Sequence, residues 1–294
     1  MKPALALGTA QFGLAYGATN THGQVSPDTV AALLNAVKGT VAYLDTAPAY
    51  GTAESILGAT LSPDHTFKII TKIPAGINSM SVAATLEKSL ESLRVSQVYG
   101  LLLHDTAGLL GADGDALWHA LELAQTSGLV KKIGVSVYDA ETALRLLRRY
   151  PIKLVQLPCS VLDQRALTSG ALHAMVQQGV EVHARSIFLQ GTLLLENAAA
   201  LPPQLRPHQQ IFDRYIEKRG AAQLSPLSAC VDFIKAQSAL AAAVIGLTNL
   251  QEWQDLKQQW STATSKRDWT PFAETGNTAA LDPRTWPQPV KVAA

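Results

Sequence analysis

Eight short apolar runs recur along the chain, each followed by a stretch of helical character. They are Ala4–Gly8, Val41–Asp45, Phe67–Lys72, Tyr99–His104, Lys132–Val137, Leu154–Pro158, Glu181–Ser186 and Ala242–Gly246. Most are continuously hydrophobic rather than alternating, with a polar residue at or near the C-terminal end. Strands buried on both faces of a parallel sheet have this form. The segments between them carry helix punctuation. Ser26-Pro27 reads as a cap followed by proline at the first helical position. Val82, Leu86, Leu90 and Leu93 recur at helical spacing after Ser81. Gly128 closes Asp115–Ser127, and Gly179 closes Leu167–Gln178. This alternation favours an α/β fold of the (β/α)8 TIM-barrel type. Periodicity does not see closure, so a doubly wound open sheet is the competing architecture.

No linker divides the chain, and residues 1–294 read as a single domain. Glu196–Arg219 is the longest gap between strands and reads as an insertion. From about Trp260 the chain turns polar and proline-rich, as a tail over one end of the barrel would. Its last few residues are expected to be mobile.

The balance of 24 Lys+Arg against 23 Asp+Glu removes the electrostatic case for nucleic acid or an acidic membrane surface. An apolar fraction of 47% with 16% charged residues excludes a disordered chain. Two cysteines, Cys159 and Cys230, are too few for a disulfide framework. No secretory h-region and no apolar run of roughly 20 residues is present, so a cytoplasmic location is expected. No heptad seam argues for an oligomer, and a monomer is expected.

Chemistry in such a barrel sits at the C-terminal ends of the strands. Asp45, Lys72, His104, Ser136 and Gln156 fall there, and Tyr50 follows Asp45 in the loop Asp45-Thr46-Ala47-Pro48-Ala49-Tyr50-Gly51. Closure would bring them together as a proton-donating set. Lys72 would lower the pKa of the Tyr50 phenol, Asp45 would hold Lys72, and His104 would donate to a carbonyl oxygen. Taken singly, each is more often a structural or solvated group. The remaining histidines, His183 among them, read as surface or satisfied side chains. No metal motif, GxSxG turn, P-loop or Rossmann fingerprint occurs.

The ordered elements Gly8-Thr9-Ala10-Gln11-Phe12-Gly13, Leu44-Asp45-Thr46-Ala47-Pro48-Ala49-Tyr50-Gly51, Ile70-Thr71-Lys72 and Leu101-Leu102-Leu103-His104 resemble the aldo-keto reductase superfamily. The resemblance runs from residue 4 to about 258. It implies a nicotinamide cofactor, NADP(H) or NAD(H), bound without a Rossmann domain, and reduction of a small-molecule carbonyl to an alcohol. By position, Tyr50 matches the general acid, and Asp45, Lys72 and His104 match its supporting residues. Gly8 and Thr9 fall at the cofactor site, and Ser136 and Gln156 match the carboxamide contacts. Arg185 stands where many members stack a tyrosine on the nicotinamide. Ser186, Phe188, Gln190 and Gly191 match the loop over the pyrophosphate. Gly246, Leu247 and Thr248 match the loop near the adenosine.

Two departures bear on the cofactor. Val137 replaces a common asparagine. Gly246 and Glu252 stand where NADPH-specific members place a lysine and an arginine. A carboxylate there would repel a 2′-phosphate and could instead accept ribose hydroxyls. Leu14, Tyr16, Phe12 and Pro48 are candidates for an apolar substrate wall, and the opening segment resembles members acting on sugar-like carbonyls. Two other classes stay open: a non-catalytic nicotinamide-binding barrel with a regulatory role, and an isomerase or lyase using Lys72 as base or Schiff base.

Overall fold

The computed structural model describes residues 2–263 and 266–287. Eight parallel strands close into a barrel in sequence order: β1 Ala4–Gly8, β2 Val41–Asp45, β3 Lys68–Ile73, β4 Val98–Leu103, β5 Val130–Ser136, β6 Leu154–Pro158, β7 Glu181–Arg185 and β8 Ala242–Gly246. β1 pairs with β8, bringing Gly8 opposite Gly246 and leaving no open edge. The chain is therefore a single-domain (β/α)8 barrel rather than an open sheet.

Side chains alternate between lumen and helix layer with a period of two. A small cluster from the strands, comprising Ala6, Tyr43, Ile70, Leu102, Leu154 and Ala242, is separate from the large core between strands and helices. Two glycines let the strands pack this tightly. A Cβ on Gly134 would lie 1.7 Å from the Leu154 carbonyl oxygen, and one on Gly100 would lie 2.7 Å from the Leu154 side chain.

Several helix limits differ from the sequence reading. Gly114–Thr126 starts one residue earlier than expected. The stretch expected as one helix, Leu167–Gln178, is two: Arg165–Thr168 and Ala171–Gln177. Gly170 between them has φ +74°, which breaks the helical path. The insertion ends in a helix of its own, Gln209–Ala221, after two short 3₁₀ turns at Ala198–Ala200 and Pro203–His208.

The tail is less polar in its packing than in its composition. Trp269, Phe272, Leu281 and Trp286 are all buried. Gln164 Nε2 donates to the Trp269 carbonyl at 2.8 Å, and the Glu274 N–H donates to the Leu162 carbonyl, tying the tail to the loop after β6. The expected mobility of the last residues concerns positions outside those described. Cys159 and Cys230 are free thiols, both buried. Among the described residues no helix is long and apolar enough to cross a membrane.

Candidate active site

Asp45 is the last residue of β2, and the chain then turns sharply through the loop that carries Tyr50. Thr9 pins the strand end: its N–H and its hydroxyl both donate to the Asp45 carbonyl, at 2.9 and 3.0 Å. The Tyr50 loop seats against β1's loop at a glycine. A Cβ on Gly13 would lie 1.8 Å from the Tyr50 carbonyl oxygen, so no other residue fits without moving the tyrosine. Lys72 enters from β3, and the neighbouring Thr71 hydroxyl donates to buried Glu54 at 2.5 Å. Glu54 lies on the helix Ala53–Thr60 that follows Tyr50. The segments bearing Lys72 and Tyr50 are thus fixed to each other from behind.

Lys72 is 1% exposed. Its ammonium donates to both Asp45 oxygens at 2.8 and 2.9 Å, to the Thr46 carbonyl at 2.9 Å and to the Tyr50 hydroxyl oxygen at 3.2 Å. Burial works against the ammonium, but the charges and hydrogen bonds of Asp45 and Tyr50 together outweigh it, and the Lys72 pKa is raised. An ammonium has only donors to offer. The phenol oxygen of Tyr50 therefore accepts from Lys72, and its own proton is not used in that bond. His104, at the end of β4, stands edge-on to the Tyr50 ring, with centroids 5.7 Å apart at 84°.

Lys72 acts on the Tyr50 phenol in the expected direction, downward, but burial raises the Tyr50 pKa by more and Asp45 partly cancels Lys72, so the net direction is upward. The phenol is fully protonated at neutral pH. His104 is pushed down to about 4 by burial first and by Lys72 second. It is a neutral imidazole at pH 7, with one N–H to donate.

Gln156, expected at the carboxamide, is committed at one end. Its Nε2 donates to Asp45 Oδ1 at 2.8 Å. A carboxylate only accepts, so the amide oxygen is the end left for a ligand. Ser136 lines a cleft of about 180 Å³ together with His104, Asp105, Tyr138 and Arg284. The Thr46 hydroxyl is buried beside Asp45 with no partner. The Ser136 hydroxyl can donate or accept and the Gln156 amide oxygen can accept, so these residues fit the donor and acceptor of a nicotinamide's amide end. Thr9, in contrast, spends its hydroxyl on the Asp45 backbone.

After β7, Ser186, Leu189 and Gln190 all have positive φ (59°, 45° and 55°), as does Gly191. Such conformations are unfavourable for non-glycine residues and gather at functional loops. The Gln190 carbonyl accepts from the Thr19 N–H and hydroxyl, at 3.4 and 3.3 Å, so this loop is tied to the loop after β1. Phe188 is only partly buried against the core.

After β8, Glu252 is exposed and takes part in a helix cap. Its carboxylate accepts from the Thr248 N–H and hydroxyl, both at 2.7 Å, while its own N–H donates to the Asn249 side chain at 2.9 Å. This is a reciprocal helix cap for Leu250–Ser261. The hydroxyl of Thr248 is engaged in the same cap. Gly246 sits under Gln11, where a Cβ would lie 2.5 Å from the amide nitrogen.

A model of the Aldo/keto reductase family matches residues 4–276. The chain belongs to the aldo-keto reductase family. No curated protein matches it. Among solved structures, an aldo-keto reductase from Bacillus halodurans in its holo form is similar, with TM-score 0.75, 17% identity and coverage of 91% of this chain and 90% of that one. A Pseudomonas aeruginosa protein assigned to the aldo-keto reductases gives TM-score 0.64, 19% identity and coverage of 88% and 90%. At these identities the likeness is one of fold.

In this aldo-keto reductase the mouth also holds residues that sequence reasoning missed. Tyr138 lies between two guanidinium groups, with Arg185 4.1 Å from its centroid on one side and Arg284 of the tail 3.6 Å away. Asp282 grips Arg284 through Nε and Nη2 at 3.0 and 2.6 Å. Tyr138 directly follows Ser136-Val137, and that adjacency was its only available signal. Of the expected substrate wall, Leu14 and Tyr16 are 37% and 40% exposed, whereas Phe12 is fully buried and belongs to the core.

Proposed function

We propose that this enzyme reduces an aldehyde or ketone to an alcohol, with Tyr50 as proton donor and a nicotinamide dinucleotide as hydride donor. The observation that carries the reading is the Lys72 ammonium, buried on Asp45 and donating to the Tyr50 oxygen. That arrangement leaves the Tyr50 phenolic proton uncommitted and sets a fixed cation against its oxygen. When bound, the cofactor supplies a hydride to the carbonyl carbon. The chain's own groups act on the oxygen. The neutral imidazole of His104 donates a hydrogen bond to it, Tyr50 gives up its proton, and Lys72 stabilises the tyrosinate left behind. Asp45 keeps Lys72 charged. A regulatory barrel would have no need of this set, and a Schiff-base role is opposed by the commitment of Lys72 as a protonated donor.

The loop after β8 supports NAD(H) over NADP(H). From Gly246 to Leu256 it contains Glu252 and Asp255 and no lysine or arginine. A 2′-phosphate lying there would meet carboxylates without a counter-cation. The substrate is a small carbonyl compound admitted between Leu14, Tyr16 and the polar rim at Asp105 and Arg284, and a sugar-like carbonyl is compatible with that mixed lining. The test is parallel fluorescence titration with NADH and NADPH, followed by turnover of 4-nitrobenzaldehyde. Tighter NADH binding together with turnover is expected. Binding without turnover of any carbonyl would favour the regulatory alternative.

A further inference from the structure

We propose that Arg185 makes the site discriminate between redox states of the cofactor, favouring the uncharged reduced ring over the cationic oxidised one. The proposal rests on the nicotinamide-dependent reading above.

Most cations at the mouth of the barrel are paired with a carboxylate. Lys72 is paired with Asp45, Arg284 with Asp282 and Arg165 with Asp163. Arg185, half-buried at the end of β7, is different. Its guanidinium donates to the Val137 carbonyl at 3.0 Å and to the Ser186 hydroxyl at 3.2 Å, both neutral acceptors. Among the described residues no carboxylate lies within ion-pair distance of it. The Tyr138 ring beneath it does not offset the charge, because Arg284 draws on the same ring.

The acids near the mouth are engaged elsewhere. Asp282 feels Arg185, yet both its oxygens are held by Arg284. Asp139 caps the helix Ala140–Leu147 through Thr142. Asp105 accepts from the Ala107 N–H. Asp105 and Asp139 keep their charge, since their partners are neutral, but neither pairs with Arg185, which therefore adds an unpaired positive charge to the space in front of Tyr50. It is close enough to disfavour the charged form of His104 and to favour the ionised form of Tyr50.

Hydride transfer requires the nicotinamide ring beside the carbonyl carbon, whose oxygen meets Tyr50 and His104. That ring is neutral when reduced and carries a positive charge when oxidised. A fixed cation in a partly desolvated site repels only the oxidised form. Differential affinity follows, and with it ready release of the oxidised product. A guanidinium held by one backbone carbonyl, one hydroxyl and a ring face is suited to this, since three contacts fix its position.

The experiment is calorimetric titration of NADH and NAD⁺ into the wild type, Arg185→Met, Arg185→Tyr and Arg185→Lys, with each variant's fold checked by circular dichroism. The ratio of the NAD⁺ to the NADH dissociation constant is expected to fall about tenfold in Arg185→Met and Arg185→Tyr, equivalent to ~1.4 kcal/mol. Arg185→Lys, which retains the charge, is expected to keep most of the ratio. Should Met and Tyr weaken both forms equally, Arg185 is an anchor for the pyrophosphate and the proposal is overturned. An unchanged ratio with unchanged affinities overturns it as well. Failure of the wild type to bind either dinucleotide would instead remove the nicotinamide reading on which the proposal stands.

Discussion

The barrel holds two buried charge networks, one at each end of its lumen, and they differ in what they leave unspent. At the C-terminal end, Asp45, Lys72, Gln156 and Tyr50 are linked so that the phenolic proton of Tyr50 remains uncommitted. At the N-terminal end, Glu181 accepts from Tyr99 at 2.6 Å, Lys132 at 2.5 Å and His183 at 2.7 Å. There Lys68 lies over the rings of Tyr43 and Tyr99, 5.2 and 5.0 Å from their centroids. Ile70, Leu102 and Leu154 stand between the two. The lower carboxylate is taken up by its three donors. The upper one positions a cation whose remaining hydrogen bond orients an acid. Buried charge alone therefore does not mark the site; an oriented proton that no neighbour accepts does.

Removing Lys72 should separate the networks most sharply. Lys72→Met leaves Asp45 charged, buried and served only by Gln156. A loss of about 3–5 kcal/mol of stability is expected, with kcat down about 10²–10⁴-fold, read by denaturant melts and steady-state turnover. Below, Glu181→Gln should cost about 1.5–3 kcal/mol, the scale of hydrogen bonds to a charged group, and leave kcat within about twofold. A large kcat loss there would erase the distinction between the two ends.

The same carboxylate predicts a pH dependence. Burial disfavours ionised Glu181, but its hydrogen bonds from His183, Lys132 and Tyr99 prevail and hold it well below the usual carboxylate range. Its stabilisation is present above the unfolded value of 4.5 and is lost as pH falls below that. Acid unfolding curves of Glu181→Gln should be correspondingly flatter. At the upper end, kcat/KM should show an acid limb near pH 4, where His104 protonates. An acid limb near 6.5 would mean that His104 is less buried than described. The smallest effect is expected for Gln156→Leu. The loss of one donor to Asp45 should lower kcat about threefold to tenfold, with a rise in the dissociation constant for the cofactor.

The sequence made the strands legible because each is buried on both faces and so carries an unbroken apolar run. Closure was not legible, since β1–β8 pairing joins residues from opposite ends of the chain. Asp45, Tyr50, Lys72 and His104 stood out through their motif and strand-end positions. The bond from Gln156 to Asp45 could not be read, because it exists only once the barrel brings β6 across from β2. Arg284 on Tyr138 was hidden for the same reason. Glu252 carries a second role that the sequence also signalled: Asn249 followed three residues later by Glu252 is a helix-cap pattern, and the structure uses it as one. Gly170 had the opposite character, since a glycine inside a helical pattern does not announce whether the helix survives it.

The most direct test of the upper network is Tyr50→Phe, which removes one hydroxyl and leaves the Lys72–Asp45 pair in place. NADH affinity and melting temperature should be nearly unchanged, while kcat for 4-nitrobenzaldehyde falls by about 10²–10⁴-fold. Full turnover by this variant would contradict the account, because the proton would then have to come from a group other than the one Lys72 orients.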